Sequence, residues 1–169
     1  VLLPPWSLCW PSGVPLVLNM GEPVQILQDP EYVVILYRRD MQVRRIKLNE
    51  RVQAGADLSW YGQSVGHYEG SDTLVVETVG QNDRADIDRF GTPRSDKIRV
   101  VERYTINPDS SQIDVAFTVE DLETFTTPWS GAASYFRSAE PFVERICAEN
   151  NKDPNGGIFP IPVDATPDF

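Results

Sequence analysis

The feature that most constrains this chain is a period-two alternation of apolar and polar residues, rich in Val, Ile, Thr and Tyr, that recurs along most of its length. No window of a dozen residues keeps the i, i+3, i+4, i+7 apolar spacing of an amphipathic helix. Strands are therefore expected throughout: Val24 to Gln28, Glu31 to Arg38, Gln42 to Asn49, Ser64 to Glu69, Asp72 to Val79, Lys97 to Ile106, Gln112 to Glu120, Ala132 to Ser138 and Phe142 to Ala148. The turn formers Arg39-Asp40 and Asn107 to Ser111 separate neighbours in this set. Gly70-Ser71 reads as a two-residue type II′ loop, which would set Glu69 opposite Asp72 and His67 opposite Leu74.

About nine antiparallel strands with short turns and no crossover helix leave edges that closure would remove. The expected fold is all-β, an antiparallel meander closing into a lipocalin-like barrel. A sandwich is the other economical arrangement. The ends differ in composition. Residues 1 to 23 carry Pro4, Pro5, Pro11, Pro15 and Pro23, and residues 151 to 169 carry Pro154, Pro160, Pro162 and Pro167. Both are expected to be extended arms around a barrel domain of residues 24 to 150, laid on the barrel or on a neighbouring subunit. Trp6, Trp10, Ile158, Phe159 and Ile161 give the arms apolar groups that need a receiving surface. Two connections, Glu50 to Gln63 and Gly80 to Asp96, are long for a meander and are candidates for the rim of a pocket.

At 169 residues and 41% hydrophobic, the chain suits one domain with a sizeable core. Fifteen basic and twenty-five acidic residues leave a formal charge of -10, which argues against nucleic acid and anionic membrane surfaces as partners. The longest apolar runs, Tyr32 to Tyr37 and Val14 to Leu18, fall far below the ~20 residues of a membrane-spanning helix. The chain opens on Val1 without a basic region and apolar stretch, so any targeting peptide is expected to have been removed or to lie outside it.

Departures from the alternation mark candidate site residues. In Lys97 to Ile106 the apolar face holds Ile98, Val100, Tyr104 and Ile106 together with Glu102, a carboxylate directed inward. Burial would raise its pKa and suit it to acid or base work, whereas a partner would hold it as an ion pair. Arg44 is the natural partner, because its face also carries Ile46 and Leu48. Glu77 shares a face with Thr73, Val75 and Val79 and looks either to the lumen or to solvent. His67 is the single histidine, so a metal site built on several histidines is impossible. Gly62-Gln63-Ser64-Val65-Gly66 matches a nucleophile elbow as a string but starts a hairpin strand. Asp83, Asp86 and Asp88 form an acidic cluster that suits a solvated loop better than a cation site. No phosphate loop or metal motif appears, and no cofactor or metal is expected.

Cys9 and Cys147 lie near the two ends of the expected barrel, without the short spacing of a metal or redox motif. From their number alone, a bridge and two buried thiols are equally admissible. The stretch Trp60-Tyr61-Gly62-Gln63-Ser64-Val65-Gly66-His67-Tyr68-Glu69-Gly70, followed by Asp72-Thr73-Leu74-Val75-Val76-Glu77-Thr78-Val79-Gly80, resembles a signature of uncharacterised exported bacterial β domains. Cys9 to Pro15, Gln42 to Leu48, and Pro128-Trp129 followed by Glu144 to Asn150 are similar to that family in order, so the likeness covers residues 9 to 151. It implies export and a β architecture, names no reaction, and places cysteines at both positions, which favours the disulfide. Ser71 stands as an insertion in the turn, and Arg94 stands where relatives tend to have His.

Three functions suit these residues. The first is a barrel that binds a small hydrophobic or phenolic molecule in its lumen, with Arg44, Tyr104, Glu77 and Phe90 as ligand contacts. The second is a lumen enzyme of lyase, isomerase or hydrolase type, with Glu102 and His67 as acid and base. The third is a structural module that forms a homo-oligomer through its arms. Secretion or a periplasmic location is expected.

Overall fold

The computed structural model describes residues 8–53, 55 and 57–147. Eight strands form one sheet in sequence order: β1 (Val24–Gln28), β2 (Tyr32–Tyr37), β3 (Gln42–Leu48), β4 (Gln63–Glu69), β5 (Thr73–Val79), β6 (Arg99–Ile106), β7 (Gln112–Glu120) and β8 (Trp129–Phe136). The sheet curls into a half-barrel rather than the closed barrel expected, for β1 and β8 do not pair and remain its two edges.

The concavity is filled from the N-terminal side instead. Val14, Leu16, Val17 and Leu18, the last three in a short 3-10 turn, are buried, and Val14, Val17 and Leu18 join one cluster with Val33, Ile35, Tyr37, Val100, Val115 and Phe117. On β8, Tyr135 donates its hydroxyl to the Leu18 carbonyl at 3.3 Å. Covering the apolar face in this way removes the drive to close the sheet on itself. Residues 8–23 thus supply core, not a purely extended arm. The C-terminal arm expected over residues 151 to 169 lies outside the described residues.

Three local expectations are corrected. First, β3 and β4 pair in parallel, Ile46 opposite Ser64 and Leu48 opposite Gly66. A parallel pair needs a crossover, which accounts for the length of the 49–62 connection. Second, Glu69 faces Thr73 and His67 faces Val75, so the β4–β5 hairpin has the three-residue loop Gly70-Ser71-Asp72, with Gly70 at φ +66°. Third, residues 142 to 148 form no ninth strand among the described residues. A single bridge joins Arg39 to Arg145, and Asp40 N–H donates to the Arg145 carbonyl at 2.9 Å.

That segment is tied down by the disulfide Cys9–Cys147, whose Cα atoms are 5.6 Å apart. Both cysteines are bonded, so the reading of two buried thiols is set aside.

Candidate functional site

The concave face carries Arg44 of β3 and Glu102 of β6, both buried at 1% and 0% exposure. Two strands lie between them, yet the Arg44 side chain lies over Ser64 and Thr78 and reaches the carboxylate. Small hydroxyl residues on β4 and β5 leave it that path. Arg44 Nη1 donates to Glu102 Oε1 at 2.8 Å, Nη2 donates to Oε2, and Nε donates to Ser64 Oγ at 3.0 Å. The Tyr104 hydroxyl donates to Glu102 Oε1 at 2.7 Å. Burial lowers the Arg44 pKa, but the combined pull of Glu102, Tyr104 and Tyr37 outweighs it and holds the guanidinium well above its ordinary value. The result is a bidentate ion pair whose carboxylate is already engaged by Arg44 and Tyr104 within the core.

A second buried guanidinium, which alternation could not flag because it lies in the 80–98 connection, is Arg94, at 3% exposure. Its Nε donates to Asn82 O at 2.7 Å, Nη1 to Gln81 Oε1 at 3.0 Å, and Nη2 to Trp60 O at 3.3 Å. Among the described residues it makes no ion pair, and burial pushes its pKa down to about 10 against the pull of Asp83 and Asp86. Gln81 in turn exchanges two hydrogen bonds with the Val14 backbone, at 2.9 and 3.0 Å. Three connections are knotted here, and Gly13 at φ +66° leaves no room for a Cβ, which would lie 2.5 Å from Arg94 Nη1.

The convex face is different. Arg99 bridges Glu77 at 2.7 Å and Glu120 at 2.9 Å, and Arg103 pairs with Glu69 at 2.7 Å. His67 is also here, exposed, with Nε2 3.6 Å from Glu69 Oε1. Amid these charges Val65 and Val75 are only 7% and 8% exposed. They floor a cleft of about 500 Å³ lined also by Val52, Gly66 and Val101, with Glu50, Arg51, His67, Glu77 and Arg99 around it. The crossover from β3 to β4 supplies Glu50, Arg51 and Val52. The 80–98 connection borders a shallower hollow of about 430 Å³ with Ile87, Asp88, Thr92, Phe125 and Trp129. Both long connections therefore edge a cavity.

Of the candidate residues, Arg44, Glu102 and Tyr104 come together in the core, while His67 and Glu77 come together in the outer cleft. Glu102 and His67 face opposite sides of the sheet and do not converge. Phe90, at the tip of its loop and 95% exposed, joins neither group. Asp88 is engaged within its own loop, accepting from Phe90 N–H at 2.8 Å and from the Thr92 hydroxyl at 2.6 Å. Among the described residues no three His, Cys, Asp or Glu side chains gather as a metal site, and no helix is long and apolar enough to cross a membrane. Compared with known proteins, the sequence matches no family model, no curated protein and no solved structure.

Proposed function

We propose that this chain is a binding protein for small, mostly apolar acids, aromatic or phenolic, and that the ligand lies in the outer cleft between the 49–62 crossover and strands β4 to β6. The observation that carries the reading is the pair of buried valines, Val65 and Val75, flooring a cavity on a face otherwise laced with ion pairs. Pockets of ~300 to 1,000 Å³ with apolar walls and a few polar groups suit small ligands. A ring would rest on Val65, Val75 and Val101, and its carboxylate would meet Arg51, which forms no ion pair among the described residues. His67 offers a second donor at the rim.

The lumen supports this role less well, because its polar groups already satisfy one another and Val14 to Leu18 occupy the space. Export fits the disulfide, since such bonds persist mainly in oxidising compartments. It also accords with the resemblance to exported bacterial β domains.

A thermal-shift titration with 4-hydroxybenzoate tests the proposal, because a ligand that binds the native state raises the melting midpoint with concentration. The midpoint should rise for the wild-type chain, rise less in Arg51→Ala, and stay fixed in Val75→Trp, where the indole fills the cleft. No shift with any of a series of benzoic and phenolic acids, or an undiminished shift in both variants, would remove the cleft as the site.

A further inference from the structure

Sheet edges in stable monomers are usually short, charged, broken by proline or covered. Among the described residues β8 is none of these. It pairs with β7 over its whole length, from Val119 opposite Trp129 to Gln112 opposite Phe136. Its sequence, Trp-Ser-Gly-Ala-Ala-Ser-Tyr-Phe, contains no charge and no proline. Among the described residues no strand lies against its outer edge, so every second residue presents an unpaired N–H and C=O there. Phe136, its last residue, is largely exposed.

We infer that β8 pairs antiparallel with β8 of a second copy of this chain, about a twofold axis through Ala132. Antiparallel partners share a face of the sheet, so the two residue numbers in each pair must differ by an even number. Centring on Ala132 satisfies this and sets Trp129 against Tyr135 of the other copy, Gly131 against Ala133, and Ser130 against Ser134. Large rings would then meet at the two ends on the concave side, small residues at the middle, and hydroxyls on the convex side. Pro128, which has no N–H to donate, bounds the ladder at each end.

Charge permits the same partner. Two chains of charge -10 repel each other, so a second copy is accepted only along a strip without carboxylates. The residues of β8 provide such a strip, and the strand's outer pattern is its own complement under a twofold axis. This interface is independent of the outer cleft and stands whether or not the cleft binds a ligand.

Light scattering on the full chain across a concentration series tests the pairing. The expected mass at high concentration is twice the 19.0 kDa of one chain, and Ala132→Lys, which opposes two ammonium groups across the axis, should weaken the dimer at least tenfold. Ala132→Cys supplies a second reading that needs no disruption, since its thiols would face each other and cross-link far faster than those of Ser71→Cys in the β4–β5 loop. A single-chain mass at every concentration, a dimer indifferent to Ala132→Lys, or equal cross-linking of the two cysteine variants would overturn the inference.

Discussion

Arg44 and Glu102 are 58 residues apart in sequence and on strands separated by two others, yet they form a bidentate ion pair in the centre of the concave face. The curl of the sheet and the small side chains of Ser64 and Thr78 between them make this reach possible. A buried pair of this kind fixes how the strands sit relative to one another more than it adds net stability.

Removing one partner should therefore be far worse than removing both. Glu102→Gln leaves the Arg44 charge without its counter-ion and should lower unfolding free energy by ~3 to 5 kcal/mol. The double variant Arg44→Met with Glu102→Leu should recover most of that loss. Urea titration of the three proteins checks it. A single variant as stable as the wild type would show that the pair is not desolvated as described.

Alkaline pH should expose a second property of the core. Burial raises the hydroxyl pKa of Tyr37, Tyr61, Tyr104 and Tyr135 above the ordinary 10.0. In the unfolded chain these tyrosines release protons near 10.0, while in the folded chain they keep them. Their contribution is thus fully present below about pH 10 and lost as pH rises above it. Arg94, held down to about 10, acts with the opposite sign, but it is one group against four. Urea midpoints measured from about pH 8 to about pH 11.5, with tyrosinate absorbance followed in parallel, should fall steeply above pH 10, and four of the six tyrosines should ionise only with unfolding. Absorbance equal to more than two tyrosinates in the folded protein would contradict this.

The disulfide closes a loop of 138 residues of sequence separation. The chain-entropy model gives such a closure about 4 to 5 kcal/mol, so reduction should lower the urea midpoint by a corresponding amount. Thiol labelling of the unfolded, unreduced chain should add no mass, and the uptake of two labels would show the bridge to be absent.

Much of this arrangement was legible in the alternation. Glu102 and Arg44 fall on inward faces because Val100, Tyr104, Ile46 and Leu48 share those faces, a pattern that needs no tertiary information. His67 was harder, because its face depends on one loop residue. With Gly70-Ser71 as the loop it would oppose Leu74 and point inward, whereas including Asp72 in the loop turns it outward beside Val75. The parallel β3–β4 pair left only an indirect mark, the length of the 49–62 connection. Arg94 left none in the alternation, since it lies in a connection and its partners are the Gln81 side chain and the backbone carbonyls of Val14, Trp60 and Asn82. The alternation starts β8 at Ala132, three residues late, because Ser130 and Gly131 are weak strand formers, and pairing with β7 overrides their preference.

The outer cleft is tested most directly by amide chemical shifts of the labelled chain during titration with 4-hydroxybenzoate. The largest changes should fall on Val52, Val65, Gly66, His67, Val75 and Val101, with Val33, Tyr104 and Val115 of the core unmoved. Changes concentrated at Arg44, Glu102 and Tyr104 would return the ligand to the lumen, and that result would contradict a site on the convex face.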